Sequence, residues 1–149
     1  MRIDNRLPRV LHILLHLEQI DTPVTSEQIG QMLGTNASLM RRTMGGLREA
    51  GFVKSIKGHG GGWLLTKPLE EISLKQVYEA LGSPNLFAVG QSGDAPTCIL
   101  ERAANEATQT ALFAAKSSFD AELSKVTLAD LFIGSSDEIL RRQSKTNKL

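Results

Sequence analysis

Between Thr25 and Thr66 the chain changes period twice, and few folds accommodate that order. Thr25 stands three residues before Gln28, the reciprocal capping arrangement that opens a helix, here predicted over Ser26 to Leu33 with Ile29, Met32 and Leu33 on its inner face. Gly34 tolerates the positive φ that ends a helix, and Asn36 is a good N-cap for a second one, Ala37 to Ala50. In this second helix Leu39, Met40, Thr43, Leu47 and Ala50 are predicted to face inward, which turns Ser38, Arg41, Arg42, Gly45 and Arg48 toward solvent. Gly51 closes it. Phe52, Val53 and Ile56 then form a short extended run, Lys57-Gly58-His59-Gly60-Gly61-Gly62 a glycine-rich tip, and Trp63 to Thr66 a second strand, so the segment reads as a β-hairpin. Helix, short turn, helix and hairpin make the layout of a winged helix-turn-helix.

The flanking segments extend this plan. A first helix is expected from about Asn5 to Ile20, with Leu7, Val10, Leu11, Leu14 and Leu17 on one buried face and Pro8 near its start. Ser73 caps a short helix to Leu81 that carries Leu74, Val77, Tyr78 and Leu81 on one side. Gly82 to Thr97 holds three glycines, two prolines and three serine or threonine residues, and reads as a loop. From Cys98 to about Lys125 the pattern is again helical. Ala103, Ala107, Ala111 and Ala115 form a stripe of small side chains, while Leu112, Phe119 and Val126 recur every seven residues, so this helix requires a partner. Thr127 restarts a short helix over Leu128 to Phe132, and the closing RRQSKTNKL is a polar tail. The fold class is therefore mostly α (α+β): a winged helix-turn-helix with a two-stranded wing plus a long C-terminal dimerisation helix. The expected organisation is a winged helix-turn-helix over residues 1–82, a linker or sensor loop over 83–97, a dimerisation region over 98–133 and a polar tail over 134–149.

Charge divides the same way. Residues 1–68 carry nine Lys and Arg against five Asp and Glu, whereas 69–149 carry eight against eleven, making the front +4 and the back −3 within a chain of net charge +1. A basic module joined to an acidic one fits nucleic-acid binding by the first. Arg41 and Arg42 lie on the early, outward part of the second helix, where guanidinium forks can meet guanine edges or phosphates. Asn36 and Ser38 sit by the free N–H groups of that helix's start, where a phosphate can dock. Leu39, counted with the inner set, also belongs to the candidate contact surface. On the hairpin, Lys57 and His59, with Lys54 behind them, offer positive or donating groups, and the tip glycines, Gly60 among them, let the backbone come close to DNA.

Other chemistries lack a complete set of residues. No apolar run reaches the roughly 18 residues of a membrane span. The start, MRIDNRLPRV, is not followed by an apolar run with a cleavage site, which predicts no export and a cytoplasmic location. His59-Gly60-Gly61-Gly62-Trp63 is similar to an esterase oxyanion loop, but the nearest nucleophile elbow, Gly90-Gln91-Ser92-Gly93-Asp94, ends in aspartate, and no enzyme is expected. His12 and His16 have a chelating spacing on one helix without a further Cys or carboxylate pair nearby, and packing or solvent exposure is the expected state. No metal is predicted. Cys98, the single cysteine, excludes an intrachain disulfide; beginning a helix, it is either a reactive thiol activated by the helix dipole or a buried, inert one.

The segments PVTSEQIGQMLGTNASLMRRTMGGLREAGFVKSIKGHGGGWLLTKPLEEISLKQVYEAL resemble the Rrf-two family of winged-helix regulators, which includes the IscR, NsrR and CymR types. The similarity is close over roughly residues 1–82 and looser over the long helix and KVTLADLF. It implies a DNA-binding transcription regulator, expected to be a repressor, that reads a partly palindromic operator as a homodimer, with the helix from Cys98 crossing between protomers. By position, Ser38, Arg41 and Arg42 fall where family members contact bases and phosphates, and Lys57 where many carry a wing arginine. Cluster-binding members use three cysteines, of which this chain keeps only Cys98, so no iron–sulfur cofactor is expected and an oxidant or small-molecule signal takes its place. The alternative function is a winged-helix protein-interaction module that binds no DNA.

Overall fold

A computed structural model describes residues 3–93 and 96–134; the predicted tail from residue 135 onward lies outside the described residues. The elements are α1 (Arg6–Glu18), α2 (Ser26–Leu33), α3 (Ala37–Glu49), β1 (Val53–Ile56), β2 (Gly62–Leu65), a 3-10 turn (Leu69–Glu71), α4 (Leu74–Ala80) and α5 (Ile99–Ser124). A sixth helix, α6, occupies residues 128–134. This is mostly α with one antiparallel two-stranded wing, in which Val53 pairs with Leu65 and Ile56 with Gly62.

The local signals act where the residues put them. Thr25 and Gln28 form the full capping box of α2, Gly34 leaves that helix at φ 63°, and Asn36 Oδ1 accepts from the Leu39 N–H at 2.8 Å. Ser73 and Gln76 form a second capping box, at α4, where only the serine was anticipated. The inner face of α3 is a correction. Met40, Met44 and Leu47 are buried, whereas Leu39 is 36% exposed, Thr43 is half-buried and Ala50 is exposed. With 3.6 residues per turn, the spacing of Met40, Met44 and Leu47 sets one line of contact, and Leu39 lies about 100° around the helix from it. Ala50 is the C-cap, beyond the packed turns.

The core joins both ends of the chain. Val10, Ile13, Leu14 and Leu17 of α1, Ile29 of α2, the α3 trio, Phe52, Val53, Trp63, Leu69, Ile72 and Val77 make one buried cluster, and Leu128 and Ala129 of α6 enter it from the far end. Leu128 is fully buried, its N–H donates to the Ile72 carbonyl at 2.9 Å, and the Leu74 N–H donates to Val126 at 3.0 Å. Thr127 and Asp130 bond reciprocally at the start of α6. Leu112, Phe119 and Val126 are half-buried, and the Phe119 ring meets Tyr78 of α4 edge-on at 5.2 Å, so at Phe119 this heptad row packs within the chain.

Truncating Leu128 to alanine removes a fully buried side chain, so Leu128→Ala is expected to lower the unfolding free energy by about 2–5 kcal/mol in urea denaturation. Gly46→Ala, where an added Cβ meets nothing within 4 Å on an exposed helical site, should instead raise it by about 0.5–1 kcal/mol.

Candidate nucleic-acid interface and the single thiol

The orientation of α3 follows from its buried side. With Met40, Met44 and Leu47 held in the core, Ser38, Arg41, Arg42 and Arg48 are all exposed, as are Asn36 and Leu39 at its start. Gly30 brings α2 and α3 close together: a Cβ there would sit 2.7 Å from the Thr35 carbonyl oxygen. Across the turn Arg41 Nη2 meets Glu27 Oε1 at 3.1 Å. Both partners are about 60% exposed, so this pair contributes no more than ~1 kcal/mol and leaves the guanidinium free to exchange partners. Neither Arg42 nor Arg48 makes an ion pair among the described residues.

The wing is fixed to this helix pair by Trp63. Its backbone exchanges two hydrogen bonds with Val24, at 3.0 and 2.8 Å, and its buried indole N–H donates to Ser26 Oγ at 3.0 Å. The glycines before it serve that approach: a Cβ on Gly62 would lie 2.7 Å from the Val24 backbone, and one on Gly61 only 2.2 Å from the Ile56 oxygen. Sequence reasoning assigned the tip glycines to close contact with DNA, and at these two positions the close contact is internal. Lys54, Lys57, His59 and Gly60 are exposed.

Between α2, α3 and the wing lies a polar cleft of about 390 Å³, lined among others by Glu27, Arg41, Arg48, Ser55 and Gly61. The fold thus brings Arg41 and Arg48 to the wing. The cleft lining does not include Arg42, Lys57, His59 or Gly60, and the last three stand apart at the tip. Glu27 and Ser55 were missed, because each faces the cleft only through a contact distant in sequence and neither carries a local pattern.

Cys98 is exposed at the N-cap of α5. Its thiol makes no capping hydrogen bond, yet the backbone N–H of Glu101 and then that of Leu100 favour the thiolate and hold its pKa below the ordinary thiol value. The burial that would make this cysteine inert is absent. The preceding loop is pinned to α5 by Asn105, a buried amide that donates to the Ser92 carbonyl and accepts from the Ser92 N–H, both at 3.0 Å. The Ser92 hydroxyl donates to Glu101 Oε1 at 3.0 Å, and no histidine is among its partners.

A helix-turn-helix with an exposed basic second helix, an antiparallel wing and a long following helix defines a protein of the winged-helix class. The chain belongs to the Rrf2 (Rrf-two) family, described as an iron-dependent transcriptional regulator, whose model matches residues 3–133. It is 35% identical over 83 residues to YwgB of Bacillus subtilis (strain 168), which bears an HTH-type transcriptional regulator name, covering 54% of this chain and 53% of that protein. With the HTH-type transcriptional regulator IscR of Photorhabdus laumondii it shares 34% over 89 residues, covering 60% of this chain and 48% of IscR. The chain thus spans about half the length of these curated relatives. A solved transcriptional-regulator structure from Lactobacillus plantarum superposes with TM-score 0.76 over 96% of this chain and 97% of that one, at 20% identity, a likeness of fold. The family and these relatives are regulators rather than enzymes. Among the described residues no helix is long and apolar enough to cross a membrane.

The family description names iron, and the donor set does not fit an iron centre. The chain has one cysteine, and among the described residues no group of three or more His, Cys, Asp or Glu is placed to hold a metal ion.

Because the thiolate is the reactive form, a lowered pKa extends reactivity to lower pH. Iodoacetamide alkylation of Cys98, followed by mass spectrometry across pH, should show a midpoint below that of a free cysteine peptide. A midpoint at or above the peptide's would refute the activation.

Proposed function

We propose that this protein is a DNA-binding repressor that grips a partly palindromic operator as a homodimer in the cytoplasm. One observation supports this most: the buried Met40, Met44 and Leu47 aim Ser38, Arg41, Arg42 and Arg48 outward beside a wing that shares a cleft with Arg41 and Arg48. In this reading α3 enters the major groove with Arg41 and Arg42 on base edges or phosphates, Asn36, Ser38 and Leu39 border the phosphate at its N-terminus, and Lys57, His59 and Gly60 follow the backbone or the minor groove. Residues 1–82 carry the contact, 83–97 the signal and 98–133 the dimer. Repression is the simplest consequence of occupying an operator that overlaps a promoter. An oxidant acting on Cys98, or a small molecule, supplies the signal without an iron–sulfur cluster.

Dimerisation has its own support. Ile99, Leu100 and Phe113 are 71%, 79% and 76% exposed, and Ala103, Ala107 and Ala111 are exposed on the same helix, α5. At 100° per residue these six positions fall within one broad face, opposite the side on which Phe119 meets Tyr78 of α4. Small side chains allow two such helices to approach closely.

Selection of bound duplexes from a random pool, with reduced and oxidised protein in parallel, tests the reading. Arg41→Ala is expected to weaken the selected site by about 1–3 kcal/mol and relax sequence preference. Lys57→Ala should weaken all duplexes alike and reduce the salt slope by about 1. Failure to bind any duplex at low salt would favour a protein-interaction module instead. Oxidant-induced release that persists in Cys98→Ser would remove the thiol from the mechanism. In sedimentation, Ala107→Glu should convert the dimer to monomer while the far-ultraviolet circular dichroism stays unchanged; a persistent dimer would place the interface elsewhere.

A further inference from the structure

His12 and His16 lie one turn apart on α1, on the side away from the buried Val10, Ile13, Leu14 and Leu17. Their Nε2 atoms converge to 2.8 Å, with ring centroids 4.6 Å apart and the planes tilted by 50°. Two imidazole nitrogens bound to one divalent ion at about 2.0–2.1 Å each, with tetrahedral or square angles, stand roughly 3 Å from one another. The observed pair therefore needs only a small side-chain adjustment to share an ion. His12 is exposed and His16 half-buried, so the outer side of the pair is open to solvent ligands. Among the described residues, neither ring has a side-chain hydrogen-bond partner other than the opposite ring, and no carboxylate or cation competes for the nitrogens.

We infer that His12 and His16 form a two-ligand site on the outer face of α1 for a borderline divalent cation of the zinc, nickel or copper type, with water completing its coordination. Imidazole is the protein ligand these ions share, whereas hard cations prefer oxygen. In the free pair one ring donates its Nε2 proton to the other. On binding, the donor ring exchanges through solvent to its Nδ1–H tautomer, so both Nε2 lone pairs reach the metal and neutral rings release no proton. The ion then clips adjacent turns of α1, the helix that packs on α4 and on the wing strand β2. This site is independent of the DNA-binding reading, and neither stands or falls with the other.

The test uses the full chain with Zn²⁺ alone, titrated calorimetrically and by thermal unfolding. Alanine is a strong helix former, so His12→Ala and His16→Ala are expected to fold as the wild type does. One Zn²⁺ should bind per chain, each variant should weaken it about tenfold or more, and the zinc-induced rise in Tm should vanish in both. His59→Ala and Cys98→Ser should bind as the wild type does. Undiminished zinc binding in His12→Ala would overturn the site, as would binding lost with Cys98→Ser or His59→Ala instead, or no binding by the wild type.

Discussion

The candidate interface hangs on the buried Trp63. A hairpin of four-residue strands has no independent stability, so it must be fastened to a larger body. Trp63 does this in two ways, pairing its backbone with Val24 and giving its indole proton to Ser26 in the interior. The second bond matters because a buried indole N–H without an acceptor costs about 1–3 kcal/mol. Ser26 is the first residue of α2, so the same contact sets wing and helix pair at one angle. That angle creates the cleft between Arg41, Arg48 and Ser55.

The second half of the chain is tied to this body by apolar burial together with short polar and aromatic contacts. Leu128 enters the same core as α1 and α3, and the Ser73 to Thr127 bridge closes that return. Tyr78 serves two neighbours, its ring meeting Phe119 of α5 and its hydroxyl donating to the Pro84 carbonyl. Asn105 holds the loop ahead of Cys98 against α5.

What could be read in the chain was local. Caps announce themselves within four residues, as Thr25 with Gln28 and Asn36 with the turn after Gly34 show, because the bonds they make are local. Periodicity found α1, α2, α3 and α5 within a residue or two, since apolar spacing mirrors the geometry of one helix. It failed in phase at α3: Leu39 and Met44 are both apolar, and their neighbours alone cannot say which faces the core. It also counted the Leu112, Phe119 and Val126 row, with the alanine stripe, toward the long helix's need of a partner, since a row recurring every seven residues fits either a second chain or α4.

By itself, then, the sequence determined the order of elements, their caps and turns, the basic charge of the first half and the single thiol. Only the tertiary structure decided which face of each element is covered. The pairing of Trp63 with Ser26 spans 37 residues and that of Arg41 with Glu27 spans 14. Contacts of this reach are fixed by the simultaneous packing of several elements, so they leave no spacing or composition signal near either partner.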